Sequence, residues 1–247
     1  MTSAELKVMT FNIRHGLGLD RRVNLRRVTR VIRDARAGVV GLQEVDRHYD
    51  ARSGFVDQAG WLAAALGMQV AYGPALDVEP PAPGSPRRQY GNAVLSAYPI
   101  LDSDNVLLPR QDHEQRAVLS VRVDAGGTDW QICTTHLEPH DAEERRRQAS
   151  AVAELVGTPT GPMVLLADLN ATPGSAEVAA LLAELADACA EVRCGLTFPN
   201  PVPLRRIDWV MCWPELTVTA AGVPRSLRAR IASDHRPVSA TLRPPLQ

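Results

Sequence analysis

Short apolar segments dominate the pattern of hydrophobic and polar positions, and they predict more strands than helices. Strands are indicated where residues alternate or run apolar between turn residues, near residues 6–13, 39–42, 69–72, 91–96, 100–108, 116–123, 129–136, 163–167, 207–212, 216–220 and 237–242. Helices are indicated where apolar residues recur three or four positions apart, after the N-cap Asn24, from Asp57 to Leu66, from Asp141 to about Val156, and through Val178, Leu181, Leu182 and Leu185.

Strands and helices occur in both halves of the chain, without an internal repeat. A two-sheet sandwich with helices packed outside is the natural arrangement for such a mixture. The Pro-rich segment 77–89 reads as a surface loop rather than a linker, because a strand pattern resumes directly after it. We therefore predict one α/β (α+β) domain over residues 1–247, with two mostly antiparallel sheets in a four-layer sandwich.

Composition narrows the functional classes. The 247 residues are 45% hydrophobic and carry a net charge of −1, so the basic excess typical of nucleic-acid binders is missing and a nucleic-acid partner is not favoured. No segment approaches the ~20 apolar residues of a membrane span, and the first residues lack a signal-peptide core. Our default expectations are a cytoplasmic monomer, with Cys133 in the core and no Cys-x-x-Cys pair.

Polar residues stand where several predicted strands end. If these strands share one sandwich, their ends converge at one rim and bring together Asn12, Glu44, His136, Asp168, Asn170, Asp208, Asp234 and His235. Carboxylates so close together repel one another unless a cation or an imidazolium balances them. Oxygen ligands without thiolates suit Mg²⁺ or Mn²⁺. This set predicts metal-assisted transfer of a phosphoryl group to water.

Each of these residues also has a purely structural interpretation. His136 is compatible with a satisfied histidine of the core. Asp168 is compatible with an Asx-type turn, in which its side chain caps the following helix. Their order and joint presence carry the prediction. Together they resemble the endonuclease/exonuclease/phosphatase superfamily of DNase I-like phosphoesterases, and the matching segments are Thr10–Ile13, Leu42–Asp46, Tyr90–Ala93, Arg116, Thr135–Leu137, Ala167–Asn170, Arg206–Trp209 and Ser233–His235.

The resemblance implies a role for each residue. It makes Glu44 the main ligand of Mg²⁺ (or Mn²⁺), helped by Asn12 and Asp234. Asp168 and Asn170 position or deprotonate the attacking water. His235, held by Asp208 through a hydrogen bond, contacts the phosphate or acts as the base, while His136 stabilises the transition state or the leaving group. The phosphate contacts are assigned to Arg116, Asn92 and Tyr90.

The implied substrate is a phosphoester of a small molecule, a nucleotide or a lipid headgroup. A DNA endonuclease on the same scaffold is the alternative. It is less favoured because Val45-Asp46 stands where the DNA-repair branch carries a Lys, and because aromatic residues make up only 4% of the chain. A noncatalytic binding protein is a third hypothesis. Arg87 and Arg88, in the Pro-rich segment, are candidates for contacting an anionic substrate from above the site.

Overall fold

The computed structural model describes residues 5–157, 159, 161–192, 194–224 and 226–245. In this part of the chain twelve strands form two sheets of six. Sheet 1 has the order β11-β12-β1-β2-β4-β3, and sheet 2 the order β5-β6-β7-β8-β10-β9. The strands are β1 Leu6–Asn12, β2 Val39–Arg47, β3 Gln69–Val78, β4 Arg88–Ser96, β5 Ile100–Leu107, β6 Ala117–Ala125, β7 Thr128–His136, β8 Met163–Asp168, β9 Ala186–Asp187, β10 Asp208–Cys212, β11 Thr217–Gly222 and β12 Val238–Arg243.

The helices start at polar caps. Asn24 and Asp57 accept hydrogen bonds from backbone N–H groups of the first turns of α1 and α2, and Asp141 does the same for α3, which satisfies donors that have no partner inside a helix. The described helices are α1 Leu25–Ala35, α2 Gln58–Leu66, α3 Ala142–Val156, α4 Ala176–Leu182 and α5 Leu227–Ile231, with short 3₁₀ turns at Arg14–Gly16 and Ala51–Ser53.

The two sheets pack face to face, and helices cover both outer faces. Alternate strand residues such as Val8 and Leu166 fill the space between the sheets. Their neighbours face outward: Met9 packs among residues of α1 and α2, and Leu165 among residues of α3 and α4. Four layers therefore bury both faces of each sheet, as the apolar strand patterns require. The predicted four-layer sandwich is confirmed.

Several element boundaries differ from the predictions. Strands β3 and β4 extend into the predicted loop 77–89 and leave a connection of residues 79–87. Helix α4 ends at Leu182, so Leu185 lies beyond it, and α5 occupies a segment predicted to be a loop. Short elements such as α5 are stabilised by tertiary packing, which a local sequence pattern does not contain.

The Arg87 side chain, in the Pro-rich connection, is held by acidic neighbours. Arg87 forms ion pairs with Asp77 and Glu79, at 2.6 and 2.7 Å, beside the ends of β3 and β4. These pairs close the connection on itself. That Arg87 and Arg88 contact an anionic substrate stays a prediction.

A disulfide joins Cys189 and Cys194 in the segment that leads from β9 toward β10. Cys133 is buried, as predicted, and so is Cys212. Disulfides are rare in reducing compartments, so this pair does not support a cytoplasmic location, which stays a prediction. Among the described residues, none of the helices has the length and apolar character needed to span a membrane.

A close approach of the two sheets at Gly41 gives a test of this packing. A Cβ atom on Gly41 would lie 2.7 Å from Leu166 Cβ and 3.1 Å from Thr134 Oγ1, both in sheet 2. We expect Gly41→Ala to lower the free energy of unfolding by about 1–3 kcal/mol, because the added methyl overpacks the interface. Urea denaturation measures the change. Gly222→Ala on β11, with open space around the new Cβ, is the matched control, and an equal loss in both variants would contradict close sheet packing at Gly41.

Candidate active site

Three neighbouring strands of sheet 2 each carry a polar residue at the same end of the sheet. His136 ends β7 and Asp168 ends the parallel strand β8, and the two residues are direct partners in the register. Asp208 begins β10, antiparallel to β8, and is also paired with Asp168. Because strand ends that share a register lie at one edge of the sheet, the backbone alone brings these three side chains together.

Sheet 1 contributes Asn12 and Glu44 to the same edge. The pairing of β2 with β4 shifts in register between Leu42 and Val45, and Glu44, inside this irregularity, has a positive φ of 56°. Such a bulge redirects a side chain out of the regular alternation. The Asn12 amide nitrogen donates to Glu44 Oε1 and to Asp168 Oδ2, both at 2.9 Å, and so links carboxylates from the two sheets.

His235 lies between two buried carboxylates. Its Nδ1 is 3.0 Å from Asp208 Oδ2, and its Nε2 is 3.6 Å from Asp168 Oδ2. Burial lowers the pKa of His235, but Asp208 and Asp168 outweigh it and raise the pKa to about 10. The predicted contact between Asp208 and the His235 ring is present, and it holds an imidazolium at neutral pH.

His136 approaches the same carboxylate in the opposite charge state. Its Nε2 is also 3.6 Å from Asp168 Oδ2, while its Nδ1 accepts a hydrogen bond from the Arg116 guanidinium at 3.2 Å. Burial, followed by the positive charges of Arg116 and His235, holds the pKa of His136 well below its usual value. The two imidazoles beside Asp168 therefore differ in charge, with His136 neutral.

Asp168 is fully buried, and its surroundings control its charge. Burial raises its pKa to about 7; His235 opposes this rise and Asp208 adds to it. Hydrogen bonds from the Asn12 amide and from the Asn170 backbone N–H favour the ionised form. A carboxyl group that titrates near neutral pH is suited to accept a proton from water.

The other predicted site residues lie around this cluster. Asn170 donates from its side chain to the Leu137 carbonyl oxygen at 2.9 Å. Asp234 pairs with Arg14 at 3.2 Å and accepts a hydrogen bond from Ser233, so a positive charge of the chain itself already balances it. A metal-binding role for Asp234 stays a prediction, as do the individual roles of the remaining residues.

The residues predicted to contact phosphate share one small cavity with two others of the site. It is lined by Glu44, Tyr90, Asn92, Arg116 and His136. The Asn92 amide donates to the Ala117 carbonyl oxygen across the two sheets at 3.0 Å, and the Tyr90 ring lies 5.7 Å from that of Tyr49. The predicted anion-binding side chains thus adjoin Glu44 on one side and His136 on the other.

Some residues of the site were not predicted. The Thr197 hydroxyl oxygen accepts a hydrogen bond from the Asp208 backbone N–H at 3.3 Å, and the Phe198 ring stacks on His235 with centroids 4.7 Å apart. Glu114 and Glu138 lie beside Arg116, at 2.9 and 3.8 Å. Glu138 follows His136 by two residues and Glu114 precedes Arg116 by two, which are usable signals, whereas no local pattern distinguishes Thr197 and Phe198.

The fold and the site together define a phosphoesterase scaffold of the DNase I-like type. Residues 9–235 match the Endonuclease/Exonuclease/phosphatase family, and the chain belongs to that family. Members of the family are phosphoesterases and nucleases, so hydrolysis of phosphoester bonds is the class of reaction for this chain.

Individual relatives agree with this assignment. The chain is 31% identical to the uncharacterized protein YbhP of Escherichia coli (strain K12), over 96% of this chain and 95% of that protein. The crystal structure of an endonuclease/exonuclease/phosphatase from Beutenbergia cavernae DSM 12333 is 31% identical, with a TM-score of 0.83 over 97% of this chain and 71% of that one. The mannosyl-6-phosphatase Bt3783 of Bacteroides thetaiotaomicron VPI-5482 is 19% identical, with a TM-score of 0.73 over 96% and 99% of the two chains; at this identity it shows the fold alone.

The buried charge of Asp168 leads to a pH-dependent difference in stability. Its pKa rises from an ordinary value near 3.8 in the unfolded chain to about 7 in the folded protein, so its contribution to stability is present below about pH 4 and is lost as the pH rises through about 7. We expect metal-free Asp168→Asn to gain stability relative to the wild type over this window. Thermal unfolding of both proteins from pH 4 to 8 measures the gain.

The matched control for this measurement is Asp34→Asn, which removes an exposed carboxylate paired with Arg228. We expect its difference from the wild type to stay nearly constant across the same window. A constant difference for Asp168→Asn as well would show that Asp168 is not protonated by its burial.

Proposed function

We propose that the chain is a divalent-cation-dependent phosphoesterase that hydrolyses a small phosphoester by attack of an activated water molecule. The observation that carries the proposal is the arrangement around Asp168. His136 and His235 each lie 3.6 Å from the same Asp168 oxygen, and their pKa values are shifted in opposite directions. Environments that separate the pKa values of neighbouring groups in this way are typical of acid–base sites.

The chemistry follows from the charge states of these groups. Asp168 is the acceptor for a proton of the attacking water, and the Asn170 backbone N–H and the Asn12 amide hold its carboxylate in place. The His235 imidazolium, kept charged by Asp208, donates a hydrogen bond to a phosphoryl oxygen. Charge that develops on the phosphoryl oxygens is then met by fixed donors, which lowers the barrier to in-line attack.

Arg116 and His136 complete the site on the opposite side of Asp168. Arg116 binds a second phosphoryl oxygen through its guanidinium group. The neutral His136 ring accepts a hydrogen bond from Arg116 through Nδ1 at 3.2 Å, so its proton is on Nε2. The leaving-group oxygen would accept from this N–H in place of its present neighbours Asn170 Nδ2 and Asp168 Oδ2, at 3.1 and 3.6 Å. The four side chains thereby divide the work into proton removal, phosphate binding and leaving-group stabilisation.

The donor set fits a hard divalent cation. Glu44 presents a carboxylate from the β2 irregularity, and the Asn12 amide nitrogen donates to it. The atoms that would hold Mg²⁺ or Mn²⁺ are the Glu44 carboxylate oxygens and Asn12 Oδ1, which accepts a hydrogen bond from the Arg14 backbone N–H. Mg²⁺ commonly takes one or two protein carboxylates and fills its other positions with water and substrate phosphate. When bound, the cation supplies electrostatic stabilisation of the phosphoryl oxygens.

The substrate proposed here is a small molecule, a nucleotide or a lipid headgroup rather than duplex DNA. The near-zero net charge supports this choice, because binding to a DNA backbone draws on clustered Lys and Arg. An activity panel tests it, with p-nitrophenyl phosphoesters, cyclic nucleotides, phosphorylated lipid headgroups and plasmid DNA, each with Mg²⁺ and with Mn²⁺. Cleavage of plasmid DNA without turnover of the small esters would assign the alternative, a nuclease.

Metal removal is the first prediction for this function. We expect EDTA to abolish turnover and added Mg²⁺ or Mn²⁺ to restore it, because the buried carboxylates cannot by themselves stabilise charge on the phosphoryl oxygens. Initial rates before and after re-addition, with unfolding monitored in the same samples, measure the effect. Full activity in EDTA would overturn the metal-dependent mechanism.

Replacing the charged imidazole of His235 is the second prediction for this function. We expect His235→Ala to lower kcat by about 10²–10⁴, the usual contribution of a positioned acid–base or charged group. His140→Ala, which removes an exposed imidazole, is the matched control and should leave kcat unchanged. Steady-state kinetics on the best substrate of the panel give the comparison; an unchanged kcat in His235→Ala would remove His235 from the mechanism.

A further inference from the structure

Glu114 is an acidic residue held over the phosphate-binding side of the site. It lies in the connection between β5 and β6, and both of its neighbours are anchored. His113 Nδ1 is 3.0 Å from a Glu144 carboxylate oxygen, and the Gln115 side chain donates to the Arg116 carbonyl oxygen at 2.9 Å. The position of Glu114 is therefore set by the structure on either side of it.

The Glu114 carboxylate contacts the arginine that is assigned to phosphate. Glu114 Oε1 lies 2.9 Å from Arg116 Nη1. The Arg116 side chain is only 7% exposed, whereas that of Glu114 is 40% exposed, so the carboxylate forms the solvent-facing side of the pair. Arg116 Nη1 is engaged by Glu114 and by His136 Nδ1, whereas Nε has no hydrogen-bond partner within the described parts of the chain and Nη2 approaches Glu138 only at 3.8 Å. The donors on the Nη2 side of the guanidinium therefore remain for a ligand.

The charge around Arg116 is more than balanced before any substrate binds. Glu138 approaches the guanidinium from another side, with its Oε2 3.8 Å from Arg116 Nη2. One arginine therefore faces two carboxylates, and Glu44 lies near enough to raise the pKa of Glu114 further, after burial and against the effect of Arg116. An anion that reaches Arg116 therefore meets the Glu114 and Glu138 carboxylates beside the arginine.

We propose that Glu114 is a specificity-determining residue that makes the site favour singly charged phosphodiesters over doubly charged phosphomonoesters. This inference rests on the proposed phosphoesterase function. A phosphomonoester carries about −1.5 to −2 charges near pH 7, whereas a diester carries one. The Nη2 side of the Arg116 guanidinium serves one phosphoryl oxygen while Glu114 stays on Nη1, and each further negative charge on the ligand increases the repulsion by the Glu114 carboxylate.

Glu114→Gln tests the inference because it removes the charge and keeps the size and an oxygen acceptor for Arg116. The substrates are bis(p-nitrophenyl) phosphate and p-nitrophenyl phosphate, which share a leaving group and differ in charge. Asp129→Asn is the matched control: it also removes a carboxylate paired with an arginine, Arg122, but lies near the start of β7, at the opposite end of the strand from His136.

We expect the wild type to have the higher kcat/KM for the diester. In Glu114→Gln the ratio of kcat/KM for diester to monoester should fall about two- to fivefold, mainly through a lower KM for the monoester, as expected for the loss of one partly exposed charge. Asp129→Asn should keep the wild-type ratio. An unchanged ratio in Glu114→Gln, or an equal change in Asp129→Asn, would overturn the inference.

A binding measurement separates this inference from the proposed function. With saturating Mg²⁺ at pH 8, calorimetric titration with inorganic phosphate and with dimethyl phosphate compares a mainly doubly charged ligand with a singly charged one. We expect Glu114→Gln to bind both anions more tightly but inorganic phosphate more so, with the ratio of the two Kd values shifting about two- to fivefold toward inorganic phosphate.

The two measurements give distinguishable outcomes. If the wild type hydrolyses no ester but phosphate binding tightens in Glu114→Gln, the proposed function fails and the charge selection stands. If esters are hydrolysed but neither the kinetic ratio nor the phosphate affinity responds to Glu114→Gln, the function stands and the charge selection is wrong. If phosphate does not bind to either protein, the inference is also wrong.

Discussion

The structure depends on keeping charges buried at the end of the sandwich. Asp168 and Asp208 are fully buried, and an isolated carboxylate in such a place costs several kcal/mol. His235 offsets the cost by lying between them, with Nδ1 toward Asp208 and Nε2 toward Asp168. Two carboxylates and one imidazolium still leave one negative charge. The neighbouring amide donors reduce this excess without removing it, which makes the region receptive to a further cation.

The sheet topology is what makes this cluster form. The parallel pairs β1–β2 and β7–β8 end at the same edge, so Asn12 falls beside the β2 irregularity and His136 beside Asp168. The antiparallel strand β10 begins at that edge with Asp208. His235 precedes β12, whose register with β1 places the start of β12 near the end of β1. Packing of the two sheets then closes the distance between the carboxylates, because Asn12 Nδ2 reaches from sheet 1 to Asp168 in sheet 2.

Most of this arrangement could be predicted from the sequence, and the physical reason is periodicity. A strand buried on both faces reads as an apolar run, and the first polar residue after it marks the edge of the sheet; Asp168 and His136 were found in this way. Glu44 was placed at the edge correctly, but its positive φ and the bulge that aims it depend on the partner strand β4. Helix α5 and the Cys189–Cys194 disulfide depend on contacts within loops, which no periodic pattern records.

Glu114 escaped prediction because it lies in the connection between β5 and β6 and not at the end of a strand. Strand ends are fixed by the sheets, so the family can keep the acid–base groups in place while the surrounding loops vary. Glu114 belongs to such a loop, yet its 2.9 Å contact with Arg116 changes the charge that a phosphate meets. Arg14 acts in the same way on the other side, where it neutralises Asp234 at 3.2 Å. The acid–base groups at the strand ends and the charge that the site accepts are therefore set by different parts of the chain.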